Sequence, residues 1–429
     1  MRIAIWHDLP SGGGFRAMCG QIRELQKREH QIAIWTPAST DNSALSDWMP
    51  RGIETHCIPF RPAGIPGYLD RRFDSALDAL QYRIDALNEH AERACAEMHE
   101  WNADVVFAHP GWWFYTSPIG KFWSGASVLY LQEPFRRLHE AMPRNAWAAP
   151  RNVAGRRPWS RIGHAIRDWR YTQHNRIQIR EEIDWAAAYD RVLVNSLYSR
   201  EALLRVYGLE PFVCPLGVDH PVFAAAPLSA KEKKVVSLGE FTSHKGTALA
   251  VRAIGMIPEN KRPPLEWFGN RVNERHAAEI GALAASLKVD LKLTHLASDE
   301  QLAEQISKAS CMIYCPELEP FGLAPLEANL AGTAAVGVAE AGVRETIING
   351  VNGSLVNGRD PAALAEAIMV YTEDLDFAKR AGLSARAHVI QNHSWRAAGE
   401  AIESQLRAAV EVHANKLAGR QLSSERQAS

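Results

Sequence analysis

Short strand-like runs alternate with helical stretches along most of this chain of 429 residues. Each half contributes five such runs, and this alternation is typical of parallel, doubly wound sheets. The sequence therefore predicts an α/β protein with two such sheets. The ten predicted strands are 2–6, 31–35, 105–108, 127–131, 191–194, 235–238, 265–268, 291–293, 311–315 and 334–338.

The segment Glu319-Pro-Phe-Gly-Leu-Ala-Pro-Leu-Glu327 places two glutamates eight positions apart. It follows the predicted strand 311–315 and leads into a helix, so Glu319 is expected in a loop at the carboxyl end of a strand. Open α/β sheets bind ligands at that edge. The N–H groups that open a helix suit a diphosphate, and carboxylates accept hydrogen bonds from sugar or ribose hydroxyls. The segment therefore has the parts that a nucleotide-sugar site requires.

The same segment resembles the signature of the retaining, nucleotide-sugar-dependent glycosyltransferases of family 4. The resemblance rests on Pro316-Glu-Leu-Glu-Pro-Phe-Gly-Leu, followed by Glu327-Ala and then Gly332. It implies the GT-B fold, in which two Rossmann-like domains face a cleft and a C-terminal helix crosses back to the first domain. The plain alternative is a strand-turn-helix unit with solvated acids.

The resemblance also assigns roles within the segment. Glu327 is expected to hold the ribose, and Glu319 to position the donor sugar. The backbone of Phe321, Gly322 and Leu323 is expected to bind the diphosphate.

A second donor-binding stretch is predicted after the strand 235–238. Lys245, followed by glycine, matches the family's lysine that neutralises the donor diphosphate, where charge develops as the glycosidic bond breaks. Gly239-Glu240 departs from the family, which usually has Gly-Arg here. Glu240 is expected to turn away, to pair with Lys245, or to accept a sugar hydroxyl. Arg16 and Arg344 are candidates for the missing positive charge.

Three consecutive glycines follow the first strand and open a helix that is predicted to end near Lys27. Glycines let a backbone approach a ligand closely and expose its N–H groups. By resemblance, Gly13 and Gly14 are expected to contact the donor, whereas the plain alternative is a flexible strand-helix turn. The pattern is neither a Rossmann GxGxxG nor a Walker loop, which argues against a dehydrogenase and a P-loop NTPase.

His109 follows the strand 105–108 and is similar to the family's strand-end histidine, which lines the donor-sugar pocket. A substrate-binding role is expected for it, with a structural histidine as the alternative. Trp112 and Trp113 either stack on a sugar ring of the acceptor or pack against the protein.

Residues 131–180 contain eleven arginines, no lysine and three acidic residues. Arg156, Arg157 and Arg161 are predicted to belong to a surface for anionic lipid headgroups or a diphosphate-linked acceptor. The alternatives are a solvated helical face and, less favoured because no recognition module accompanies the charge, a nucleic-acid surface.

The join between the domains is predicted near Val213-Cys-Pro-Leu-Gly-Val-Asp219, which matches the family's interdomain linker. The predicted organisation is an N-terminal acceptor-binding domain, 1–217, a nucleotide-sugar-binding domain, 218–393, a returning helix, 394–417, and a disordered tail, 418–429.

The composition gives no indication of a strongly charged, secreted or membrane-spanning protein. The net charge is −1, the six cysteines form no CxxC pair, and no signal peptide or membrane span is visible. The chain is therefore expected in the cytoplasm, with peripheral association at the inner face of the membrane. Asp374-Leu-Asp376 is predicted to be a solvated turn, so neither a metal nor another cofactor is expected.

These observations predict a hexosyl- or related glycosyltransferase of glycan or polysaccharide biosynthesis. It would move a sugar from a nucleotide diphosphate to a saccharide or lipid-linked acceptor, with retention of configuration. The alternatives are a nucleotide-sugar epimerase, a sugar phosphorylase and a non-catalytic partner subunit with the same fold.

Overall fold

The computed structural model describes residues 1–10, 12–40, 49–50, 52–60, 76–140, 148, 158–218, 221–224, 230–269, 271–295 and 298–428. By its internal contacts the chain divides into two compact units. The first unit comprises Met1–Val194, Ser199–Cys214 and Gly399–Ser429, and the second comprises Asn195–Tyr198 and Pro215–Ala398.

In its described part, the first unit has a seven-stranded parallel sheet in the order β3-β2-β1-β4-β5-β6-β7. The order runs outward in both directions from β1 and β4, as in doubly wound folds. The strands are β1 Arg2–Trp6, β2 Gln31–Pro37, β3 Glu54–Ile58, β4 Val105–Ala108, β5 Ala126–Gln132, β6 Arg191–Val194 and β7 Phe212–Val213.

Helices cover both faces of this sheet, so its central strands are almost fully buried. The helices are α1 Gly13–Lys27, α2 Ala76–Glu100, α3 Ile119–Phe122, α4 Arg136–His139, α5 Pro158–Ala187 and α6 Leu197–Tyr207. Part of the core lies where Trp6, Trp35 and Leu129 of the strands meet Ala94 and Met98 of α2.

Among its described residues, the second unit has a six-stranded parallel sheet in the order β10-β9-β8-β11-β12-β13. Its strands are β8 Glu232–Leu238, β9 Leu265–Gly269, β10 Leu291–His295, β11 Ala309–Tyr314, β12 Ala335–Val338 and β13 Gly353–Val356. Its helices are α7 Pro221–Ala224, α8 Thr247–Met256, α9 Glu274–Ser286, α10 Asp299–Lys308, α11 Leu323–Leu330, α12 Val343–Thr346, α13 Pro361–Glu373 and α14 Leu375–Asn392, with short 3-10 turns at Ser243–Lys245 and Glu259–Lys261.

The prediction of two doubly wound parallel sheets is confirmed, and all ten predicted strands are present. Three strands were not predicted, namely β3, β7 and β13, and each lies at an edge of its sheet. Edge strands bury less of their surface, so they need no apolar run. The sequence Glu-Thr-His-Cys-Ile of β3 illustrates this, since only its last residue is buried.

The last helix, α15 Trp395–Ala428, belongs to the first unit from Gly399 onward. Arg28 at the end of α1 pairs with Glu400 at 3.1 Å and with Glu403 at 3.2 Å. The helix continues through residues 418–428, for which the sequence predicted a disordered tail. The stretch after Gly419 contains good helix formers such as Leu, Glu, Arg, Gln and Ala and no further Gly or Pro to end the helix.

Within the described ranges, none of the helices combines the length and the apolar character that a membrane span requires.

Candidate active site

The candidate site of the second unit lies at the carboxyl edge of its sheet, where β8 and β11 are neighbours. The strand order reverses direction between these two strands, and open α/β sheets form ligand sites at such a switch point. The loop after β8 carries Lys245, and the loop after β11 carries Glu319.

The structure brings these two predicted residues into direct contact. Lys245 Nζ donates to Glu319 Oε2 at 2.8 Å, and both side chains are largely buried. Lys245 ends a 3-10 turn, and Gly246 follows it with φ 74°. A Cβ at Gly246 would lie 1.9 Å from the carbonyl oxygen of Cys315, so only glycine lets the lysine-bearing loop pack on the end of β11.

The helix α11 begins beside Glu319. Gly322 is its N-cap with φ 97°, and Leu323 is its first helical residue. Phe321 is buried, and its carbonyl accepts the Thr346 hydroxyl at 3.1 Å. Because a glycine cap has no side chain to bind the first N–H groups, these groups can serve an anion. The predicted diphosphate-binding backbone therefore has a suitable conformation.

Glu327 lies in the second turn of α11 and is 8% exposed. A carboxylate buried to this degree needs hydrogen-bond donors around it. Its position on the helix that opens next to Glu319 is compatible with the predicted ribose contact.

Of the three arrangements expected for Glu240, the ion pair with Lys245 does not form. Its carboxylate lies 3.6 Å from the guanidinium of Arg271 instead. Gly239, with φ 138°, lets the stem of Lys245 pass close by, because a Cβ there would be 3.8 Å from Lys245 Cδ. Sequence reasoning missed Arg271, although it follows β9, the neighbour of β8, at the same edge of the sheet.

Arg344 and Arg16 were the two candidates for the charge that the family arginine supplies. The Nε of Arg344 donates to the carbonyl of Ala341 at 3.2 Å. Arg16 belongs to the first unit.

The first unit has its own switch point, between β1 and β4. His109 follows β4 and is fully buried, and burial lowers the pKa of its imidazole to about 3. His7 follows β1, is also fully buried, and has a pKa lowered to about 4 by burial. Both imidazoles are therefore neutral at physiological pH, and neither ring nitrogen of His109 has a hydrogen-bond partner among the described residues. The sequence analysis singled out His109 but not His7, and the substrate-binding role expected for His109 stays a prediction.

Gly13 and Gly14 are the first two residues of α1. A Cβ at Gly13 would meet no described atom within 4 Å, and one at Gly14 would lie 3.4 Å from the Gln132 side chain. Packing alone therefore does not require glycine at Gly13, which leaves room for the predicted approach of a ligand.

The loop after β4 carries the two predicted acceptor tryptophans. Trp112 is 56% exposed, whereas Trp113 is half-buried and packs beneath the Arg83 guanidinium, 4.3 Å from the ring centre. Glu182 of α5 anchors this loop, because its carboxylate accepts the N–H groups of Tyr115 and Thr116, each at 2.7 Å. Trp112 is thus exposed, whereas the ring of Trp113 packs against Arg83; the predicted stacking of Trp112 on an acceptor stays a prediction.

The predicted basic surface is only partly described. Arg156 and Arg157 lie outside the described residues, and for Arg161 only the helical backbone of α5 is described. The next turns of α5 expose Ile162, Ile166 and Trp169. These residues are four and three positions apart and share one side of the helix. Their exposed neighbours include Arg167 and Arg170.

No group of three or more His, Cys, Asp or Glu that could hold a metal ion occurs in the part of the chain that the structure describes. Asp374 caps α14 and accepts the Phe377 N–H at 2.8 Å. Asp374 and Asp376 are exposed, as expected for the predicted solvated turn, but Leu375 and Asp376 already belong to the first turn of α14.

Comparison with known proteins agrees with this architecture. Residues 222–388, within the second unit, match the family model of the group 1 glycosyl transferases. The solved structure of HepE from Anabaena in complex with UDP has a TM-score of 0.66 at 16% identity, over 95% of this chain and 100% of that one. The GT-B fold predicted for the chain is therefore confirmed, and residues 222–388 are similar to the group 1 glycosyltransferase superfamily.

Two curated relatives illustrate the range of that superfamily. The alpha-1,3/1,6-mannosyltransferase of Mus musculus is 25% identical over 247 residues, which cover 50% of this chain and 59% of that protein. The D-inositol 3-phosphate glycosyltransferase of Streptomyces griseus is 32% identical over 269 residues, 53% of this chain and 55% of that protein. The chain thus spans little more than half the length of these relatives.

Proposed function

We propose that the protein is a metal-independent glycosyltransferase that moves a sugar from a nucleotide diphosphate to a saccharide or lipid-linked acceptor, with retention of anomeric configuration. The observation that carries this proposal is the contact of Lys245 with Glu319 beside the N-terminus of α11. A cation, a carboxylate and helical N–H groups that have no side-chain cap then meet at the switch point of one sheet.

The chemistry follows from these groups. The lysine and the N–H groups would stabilise the charge that develops on the leaving diphosphate. Glu319 would accept a hydrogen bond from a sugar hydroxyl, and Glu327 one from the ribose. The leaving phosphate can take the acceptor proton, so no separate base is needed. Catalysis is then mostly positioning and charge stabilisation.

Neutral His109 fits the same proposal. An imidazole whose pKa is lowered to about 3 keeps one donor and one acceptor nitrogen at physiological pH. Such a group can bind a sugar hydroxyl without repelling the positive charge of an oxocarbenium-like transition state. We assign acceptor recognition to the first unit, with exposed Trp112 as a stacking surface.

A thermal-shift panel of UDP-, GDP- and ADP-sugars tests the donor class. A ligand present at about 100 times its Kd should stabilise the native protein by about 2.7 kcal/mol, whereas free sugars and mononucleosides should have little effect. The donor that binds is then supplied with candidate acceptors, and the anomeric configuration of the product is read by NMR.

Several results would contradict the proposal. A change of the donor sugar in the absence of an acceptor would indicate an epimerase. A requirement for inorganic phosphate would indicate a phosphorylase. Tight nucleotide binding without turnover would indicate a non-catalytic subunit.

We further propose that α5 docks on an anionic membrane surface. Ile162, Ile166 and Trp169 form an exposed apolar stripe, and Arg167 and Arg170 lie beside it. Helices that lie at a membrane interface combine these two features, since apolar side chains enter the headgroup region and arginines pair with anionic lipids.

Substitution of Arg167 and Arg170 by Ala should weaken binding to vesicles that contain phosphatidylglycerol by roughly 30-fold, since each basic residue near such a surface contributes about 1 kcal/mol. Vesicle flotation at low and high salt measures this effect. Replacement of both Arg252 and Arg275 by Ala is the matched control, because these two arginines are also exposed but belong to the second unit. Failure of the wild-type protein to bind at low salt would leave a solvated helical face and a soluble acceptor as the better interpretation.

A further inference from the structure

The loop that carries Glu319 adopts a backbone conformation that its sequence does not favour. Leu318, directly before Glu319, has φ 49°, in the left-handed region that side-chain-bearing residues rarely adopt. Such a conformation persists only where surrounding groups hold it. The contacts that hold Leu318 therefore decide where the Glu319 carboxylate points.

The loop after β12 provides the first of these contacts. Glu340 Oε1 accepts the N–H of Leu318 at 2.6 Å, and the N–H of Gly342 donates to the carbonyl of Glu319 at 2.8 Å. A Cβ at Gly342 would lie 2.0 Å from the carbonyl oxygen of Pro320, so the two loops touch backbone to backbone. Residues on both sides of the Glu319 backbone are thus fixed by one neighbouring loop.

Arg359, between β13 and α13, provides the second contact. Its guanidinium donates to the carbonyl of Cys315 at 2.8 Å and to that of Pro316 at 3.0 Å. The same guanidinium lies 3.4 Å from the second oxygen of Glu340. One planar group therefore joins the end of β11 to the carboxylate that holds Leu318, a geometry that lysine cannot reproduce.

We propose that Arg359 and Glu340 are positioning residues that fix the turn 315–319, so that Glu319 meets Lys245. The proposal rests on the proposed transferase function for its catalytic consequence, although the clamp itself can be tested without turnover. Neither residue need contact the donor. They act through the backbone of Leu318 and through the Glu319 side chain that it carries.

The first test measures the clamp in the protein without ligand. Arg359→Ala should speed hydrogen–deuterium exchange of the Leu318 amide by about 10-fold or more, because loss of the guanidinium frees the Glu340 carboxylate that protects this amide. Arg262→Ala is the matched control. Arg262 also caps backbone carbonyls in the second unit, those of Gly255 and Leu287, but lies before β9 at the opposite edge of the sheet. Unchanged exchange at Leu318 in Arg359→Ala would overturn the proposal.

The second test uses the donor that the thermal-shift panel selects. Arg359→Ala should lower kcat by about 30- to 100-fold, since a misplacement of the order of 1 Å can cost that much. The Kd for the matching nucleoside diphosphate should change by less than about threefold, because the phosphate-binding groups are retained. Millimolar guanidinium should restore part of the lost kcat in Arg359→Ala and none in Arg262→Ala.

Two further variants keep the test decisive. Arg359→Lys retains the charge, should fold even if Arg359→Ala does not, and should still lose kcat because it cannot bridge both carbonyls and Glu340. Glu340→Gln keeps an acceptor for the Leu318 N–H and should retain more activity than Glu340→Ala. Equal kcat in all these variants and in the wild type would refute the positioning role. A wild-type protein inactive with every donor would instead refute the transferase function and leave the exchange result to decide on the clamp.

Discussion

Lys245→Ala is expected to lower kcat by about 100- to 1000-fold with saturating donor, which corresponds to roughly 3–4 kcal/mol of lost transition-state stabilisation. The charge on the leaving diphosphate grows as the glycosidic bond breaks, and the Lys245 ammonium lies at the switch point where that group would sit. The lysine also pairs with Glu319 at 2.8 Å, so its loss leaves that carboxylate without this cation in the site. Steady-state kinetics over a range of donor concentrations measure the effect.

Two further variants serve as comparisons for Lys245→Ala. Glu327→Ala should mainly raise KM, because the ribose does not change during the reaction and its contact serves ground and transition states equally. Lys261→Ala should leave both constants unchanged, since that lysine pairs with Glu373 on the surface of the same unit. Near wild-type kcat in Lys245→Ala would show that the diphosphate assignment is wrong.

The inner strands of both sheets were predictable because each is a continuous apolar run, a pattern that is visible in a few neighbouring residues. Lys245 and Glu319 were each assigned to the donor site by family resemblance, but the direct contact between them was not predicted. It arises because loops after neighbouring parallel strands meet at one edge of the sheet.

The partners that hold the site were not predictable in this way. Arg359 and Glu340 act on backbone groups about 20 to 45 positions away in the chain, and neither belongs to a periodic pattern or a motif. Glu182 lies 66 and 67 positions from the two amides that it binds. Such contacts are defined only by the folded chain, so a single sequence contains no signal for them.

Glu182 leads to the second prediction with a large effect, on the pH dependence of stability. Its carboxyl is fully buried, and burial raises its pKa from 4.5 to about 7, although hydrogen bonds from Thr116 and Tyr115 act in the opposite direction. Between pH 4.5 and 7 the unfolded chain releases this proton while the folded chain keeps it. The unfolded state then binds fewer protons, so the free energy of unfolding falls as the pH rises, by up to about 3 kcal/mol from this group.

Gln at position 182 cannot titrate, so Glu182→Gln should remove this decrease in the free energy of unfolding. The stability of the wild type relative to that of Glu182→Gln should therefore fall by about 3 kcal/mol between pH 4.5 and 7.5. Urea unfolding followed by tryptophan fluorescence measures the difference, and hydrogen exchange at the Tyr115 and Thr116 amides locates it in the loop that carries Trp112. Glu345→Gln is the matched control, because Glu345 also accepts two backbone N–H groups, at 2.8 and 2.9 Å, but remains partly exposed to water. If the difference in free energy of unfolding between wild type and Glu182→Gln did not change with pH, the Glu182 carboxyl would be ionised over the whole range. Its three hydrogen bonds from Tyr115 and Thr116 would then stabilise the charged form more than burial destabilises it.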